Sequence, residues 1–208
     1  MCPEAYEWRR RSAVLAGFSG DTGAARAAFA DDDPRVRSVA LAALVRLGAA
    51  TPDDIGAGLA DPDPSVRRRA LTLVAAAPVG RVAPDLLPLL PDPDDRVTEV
   101  AAFAAGELAP PAPAIVAALA AIATDHPDAL CRESAVAALG SLGEPAGLSA
   151  VLVACTDIAA VRRRAVLALA AFDGEDVEAA IVGLTSDRDL QVRQAAEDLL
   201  AISRGQEL

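Results

Sequence analysis

The sequence predicts an all-α fold, a right-handed α-solenoid of about six stacked antiparallel helix pairs with one further helix capping the N-terminal end. Three observations carry this: an aliphatic, Ala-rich composition, a motif that returns about every 31 residues, and an Asp ahead of each repeated helix. Of 208 residues, 53% are hydrophobic but only 3% aromatic. About a quarter are Ala, and Lys is absent. This much apolar content can bury a core, and Ala favours close-packed helices over sheets built from Val, Tyr and Phe.

The segments DDDPRVRSVALAAL, DPDPSVRRRALTLV, DPDDRVTEVAAFAA, HPDALCRESAVAAL, TDIAAVRRRAVLAL and DRDLQVRQAAEDLL align without gaps. Their anchors are Val36, Val66, Val97, Cys131, Val161 and Val192. Four residues after each anchor stands an Ala: Ala40, Ala70, Ala101, Ala135, Ala165 and Ala196. Positions seven and eight after the anchor continue the stripe, from Ala43 and Leu44 to Leu199 and Leu200. The i, i+4, i+7, i+8 pattern is one face of an amphipathic helix, and the small residue admits a neighbouring helix.

Helix starts are written as Asp33, Asp63, Asp94, Asp128 and Asp189, three residues before their anchors, with Pro34 and Pro64 after the first two. An Asp at the N-cap accepts from free backbone N–H groups, and Pro at the first helical position lacks only a donor that has no partner there. The repeat anchored on Val161 departs, with Ile158 at the cap position and Asp157 one residue earlier, so its cap is expected to shift. Shorter apolar segments lie between: residues 22–30, 52–60, 81–90, 112–124, 145–155 and 175–185. With a first helix over residues 6–18, about 13 helices are expected in a single solenoid over 1–203, followed by a tail at 204–208.

The run D-x-x-V-R-x-x-A-x-x-A-L, preceded by a Pro-started helix, resembles HEAT repeats of the short bacterial, phycobilin-lyase-like type. The resemblance covers nearly the whole chain. It implies a family whose members serve as scaffolds, regulatory subunits, bilin lyases and, in a divergent branch, DNA glycosylases. It also implies a structural Asp/Arg ladder. Arg37, Arg67, Arg132, Arg162 and Arg193 each follow an anchor and form one column, interrupted by Thr98. The helix-start acids Asp33, Asp63, Asp94, Asp128 and Asp189 are the expected partners that keep like charges apart.

Residues two after the anchor point away from the buried stripe, toward the family's concave face. They are Arg10, Ser38, Arg68, Glu99, Glu133, Arg163 and Gln194, with Arg11, Arg69 and Arg164 beside them. Two basic clusters flank an acidic middle, and Phe103 offers an apolar anchor near it. Arg68, Arg69, Glu99, Phe103, Glu133, Arg163, Arg164 and Gln194 are the expected binding residues for a charged peptide or protein segment.

Other chemistry has little to work with. The net charge of −11 repels nucleic acid and anionic membranes as a whole-molecule field. No secretory signal or membrane span is written, so a cytoplasmic monomer is expected. His126 is the sole His, and Cys2, Cys131 and Cys155 show no metal-ligand spacing. The acidic turns around Asp31, Asp61 and Asp92 lack the Gly and Glu of a calcium loop. No nucleophile elbow, phosphate loop or zinc motif is present, so no cofactor, metal or catalytic residue is assigned. Tyr6 and Trp8 read as an end cap. Glu197 replaces the Leu, Ala or Val found five after the other anchors, as a terminal face requires, and the chain reads as complete. The leading expectation is a non-enzymatic protein-binding scaffold. A bilin-lyase-type enzyme or accessory protein is the alternative, and a HEAT-like DNA-binding or repair protein the third.

Overall fold

A computed structural model describes residues 3–76, 84–108, 112–203 and 205, without the side chains of 3–5. These residues form twelve α-helices and two 3-10 turns, with no strand among them. The helices are α1 Pro3–Ser19, α2 Thr22–Phe29, α3 Pro34–Arg46, α4 Pro52–Leu59, α5 Pro64–Ala75 and α6 Asp95–Glu107. They continue with α7 Pro113–Asp125, α8 Ala129–Leu142, α9 Leu148–Ala154, α10 Ala159–Leu169, α11 Glu175–Leu184 and α12 Leu190–Ser203. The chain divides into two compact units, Met1–Asp85 and Leu86–Leu208.

In the first unit α1, α3 and α5 stack in order, while α2 packs on α1 and α3, and α4 on α3 and α5. In the second, α6, α8, α10 and α12 stack in order. There α7 and α9 pack against α8, and α11 lies on α10 and α12. The six anchors and the six Ala that follow them at i+4 are all 0% exposed. Burying each Val anchor contributes on the order of 2 kcal/mol. In two repeats of the second unit a Gly nine residues after the anchor admits a close helix approach. A Cβ on Gly106 or Gly140 would sit 2.9 or 2.7 Å from that of Ala138 or Ala168 on the next helix.

The caps form as the sequence predicts. Asp33, Asp63, Asp94, Asp128 and Asp189 accept from backbone N–H groups of Arg35, Ser65, Arg96, Leu130 and Gln191. At α10 the cap is not shifted but missing: Ile158 stands at the N-cap with no side-chain acceptor. Two of the shorter segments differ from expectation. Residues 81–83 of the predicted 81–90 helix lie outside the described residues, and its remainder contains only a 3-10 turn, Leu87–Leu89. Pro84 and Pro88 explain this, because each lacks the backbone N–H that an α-helix would use there. The predicted 145–155 helix opens as a 3-10 turn, Pro145–Gly147, before α9. Apart from Gly205, the expected tail at 204–208 also lies outside the described residues.

Candidate functional site

The turns between helices set the register of the helices that carry the exposed face. Two residues before each cap, a side chain folds back on the turn. Asp31, Asp61, Asp92 and Asp187 accept from the backbone N–H of Asp33, Asp63, Asp94 and Asp189 at 2.8, 2.9, 2.9 and 2.7 Å. His126 stands at the same place before α8, and its Nδ1 accepts from Asp128 N–H at 3.1 Å. The lone His is therefore a turn acceptor where its counterparts are Asp.

The Arg after each anchor clamps this turn through Nη1. Arg37 donates to Asp31 O, Arg67 to Asp61 O, Arg132 to His126 O, Arg162 to Asp157 O and Arg193 to Asp187 O, at 3.0, 2.8, 2.8, 2.6 and 2.7 Å. Thr98 keeps the same bond with its hydroxyl, to Asp92 O at 3.2 Å. The rest of the guanidinium forks the turn acid of the following repeat. Arg37 meets Asp61 at 2.8 and 2.7 Å, Arg132 meets Asp157 at 2.6 and 2.9 Å, and Arg162 meets Asp187 at 2.8 and 2.7 Å.

The ladder is thus present but its acids are different from those expected. The carboxylates of Asp63, Asp94, Asp128 and Asp189 are engaged by the N–H groups they cap, and Asp33 pairs with Arg35 beside it, which holds its carboxyl at about 2. Arg132 holds Asp157, and Arg162 holds Asp187, below the usual carboxylate range. Burial pushes Asp61 up, and the Arg37 guanidinium with the Asp63 N–H more than offsets it. The signal was legible: Asp recurs at the first position of four of the six aligned segments. Three further ion pairs were missed, two of them made by one Arg. Arg9, directly after Trp8, donates to Asp31 and Asp32 at 2.9 and 2.7 Å, and Arg26 of α2 reaches Asp54 of α4 at 2.7 Å.

Of the expected binding residues, four converge in the second unit. Glu99 and Phe103 of α6, Glu133 of α8 and Arg164 of α10 line an open groove of about 370 Å³. Glu107, Leu130 and Ser134 complete its rim. Phe103 is 52% exposed and Leu130 57%. Arg164 donates to Glu133 at 3.1 Å. Arg163 and Gln194 do not line the groove: Arg163 donates to Gln191, and Gln194 to Asp198. Arg68 and Arg69 lie on α5 in the first unit, the former half-buried and the latter exposed.

The Cys131 thiol is buried and that of Cys155 half-buried. Burial pushes the Cys131 thiol up to about 12 and that of Cys155 up to about 11, and thiols so shifted are poor nucleophiles. No group of three or more His, Cys, Asp and Glu side chains there is placed to hold a metal ion. No helix there is long and apolar enough to cross a membrane.

Comparison with known proteins bears on the fold. None of the curated proteins matches the chain. Among solved structures, an engineered protein from the Northeast Structural Genomics Consortium superposes with a TM-score of 0.63 at 20% identity over 98% of this chain. The chain spans 64% of that protein's length. A designed armadillo repeat protein in complex with the peptide (KR)4 gives a TM-score of 0.49 at 17% identity, over 95% of this chain and 90% of that one. The likeness to the engineered protein shows the repeat-solenoid fold. The family described as HEAT repeats matches residues 52–140 and 83–158, more than half of the chain, where the anchors, caps and clamps recur in step; the chain belongs to the HEAT-repeat family.

Proposed function

We propose that this HEAT-repeat scaffold is a non-enzymatic binding module that holds a peptide or protein segment along the exposed face of α6, α8 and α10. The groove lined by Glu99, Phe103, Glu133 and Arg164 supports the reading most. Its large apolar residues, Phe103 and Leu130, are exposed rather than packed, and Gly106 and Ala138, where α6 and α8 approach closely, also line it. Repeat solenoids present extended surfaces of this kind, and an exposed aromatic ring amid charged neighbours is a good anchor.

The test is a photo-crosslinking amino acid placed in turn at Ala137, which lines the groove, at Val182 on α11, which is 48% exposed and does not line it, and at Arg69, exposed on α5 of the first unit. Partner adducts are expected at position 137 and not at 182, and Phe103→Ala should remove them. Adducts that form only at 182, or only at Arg69 in the first unit, would refute the placement.

A further inference from the structure

We infer that the groove of the second unit selects an extended segment whose Arg side chain lies across Phe103, between Glu99 and Glu107. This rests on the proposed binding role and names the chemistry of its partner. Glu99, Phe103 and Glu107 stand at i, i+4 and i+8 on α6 and all line the groove. Each step of four residues is about 6 Å of helix rise, so a cation over the ring has a carboxylate one turn away on either side.

The charges in the groove do not balance. Glu133 has its cation in Arg164 at 3.1 Å. Glu99 and Glu107 have no ion pair among the described residues, so three carboxylates face one guanidinium. The groove therefore holds two uncompensated negative charges around an aromatic face. A ligand that supplies positive charge there gains both the ion pairs and the ring interaction.

Shape favours Arg over a small amine. The alkyl stem of Arg covers apolar surface while its head stays polar, and Phe103, Leu130 and Ala137 supply such surface along the groove. A planar guanidinium stacks on an aromatic ring and still forks a carboxylate, which a compact ammonium cannot do. The fold already uses the first of these contacts: the guanidiniums of Arg35 and Arg46 lie 3.5 and 4.2 Å from the ring centroids of Tyr6 and Phe18. An acidic or phosphorylated segment would meet like charge at Glu99 and Glu107.

The experiment titrates the full-length protein with a capped peptide in which two Arg flank a Leu, with its citrulline analogue and with its Glu analogue, followed by amide NMR. The Arg peptide should shift signals of α6 and α8. Citrulline in place of Arg, Phe103→Leu, and Glu99→Gln with Glu107→Gln should each weaken binding roughly tenfold. Raising the salt concentration should weaken the Arg peptide alone. Equal binding of the citrulline or Glu peptide at the groove would overturn the choice of Arg and leave the binding role standing. Absence of α6 and α8 shifts with the Arg peptide would also overturn it, and crosslinking at position 137 then decides the binding role by itself.

Discussion

Arg162 satisfies three acceptors at once. Its Nε and Nη2 fork Asp187 at 2.8 and 2.7 Å while Nη1 reaches Asp157 O at 2.6 Å. Its side chain is 6% exposed and that of Asp187 10%, so neither charge has much recourse to water. Arg162→Ala should cost about 3 kcal/mol, read as a lowered urea midpoint, because it strands the acid as well as removing the bonds. Arg162→Lys should recover less than half of that, since an ammonium cannot fork a carboxylate and reach a carbonyl together. The same contact fixes a pH dependence. Arg162 holds Asp187 below the ordinary carboxylate range, so on acidification the unfolded chain takes up the proton first. The stabilisation is therefore full above about pH 4 and lost as pH falls through the folded value. Asp187→Asn should lower the urea midpoint at pH 7, and its deficit relative to the wild type should shrink below pH 4. A deficit that stays constant with pH would show that the charge of Asp187 is not what the fold uses.

At the scale of the element, most repeats are a turn locked by an acid, a cap and a clamp, α10 does without the cap, and one rung of the second unit lacks its charges. Thr98 bonds Asp92 O but carries no cation, and His126 occupies the place where other turns present the Asp that receives the fork. The helices nevertheless stay in register. Cys131 Sγ donates to Asp95 O at 3.1 Å and Gly106 sits hard against Ala138, so packing substitutes for the ion pair. Thr98→Arg alone buries a cation with no acid to fork, and His126→Asp alone adds an acid that keeps the Asp128 N–H but has no cation from the preceding repeat. Both singles should be less stable than the wild type, and the double variant should regain about 1 to 3 kcal/mol through coupling, measured as a double-mutant cycle. Helices were legible wherever cap, anchor and Ala recur together, and α3, α5, α6, α8 and α12 start where the Asp predicts. Residues 81–90 misled because apolar content alone suggests a helix, whereas Pro84 and Pro88 forbid its hydrogen bonds. The ladder misled in a subtler way. A cap Asp and a turn Asp are the same residue two positions apart, and only the backbone shows which oxygens the helix N–H groups already occupy.

At the scale of the whole molecule, the net charge of −11 is distributed by role. Caps, turns and clamps absorb much of the acid locally, while Glu99 and Glu107 leave theirs facing the groove. Position after the anchor therefore revealed the groove's composition but not its membership. Glu99, Glu133 and Arg164 converge, yet Arg163 is drawn to Gln191 on α12, a neighbour the repeat pattern does not reveal. The groove lies within Leu86–Leu208, and so does a core of its own. Leu86, Leu90, Val97, Leu119, Val136, Leu139, Val151 and Leu169 are each at most 2% exposed. In a repeat array stability is the sum of each repeat and its nearest neighbours, so a stack with its own buried layer does not need distant repeats to fold. The pairs Arg132–Asp157 and Arg162–Asp187 are also internal to this unit. Residues 86–208 expressed alone should therefore show helical circular dichroism and a single cooperative urea transition. Amide signals of α8 to α12 should overlay those of the full chain. A non-cooperative or unfolded fragment would mean that the second unit borrows its stability from residues 1–85, and the groove would then belong to the whole chain rather than to a module within it.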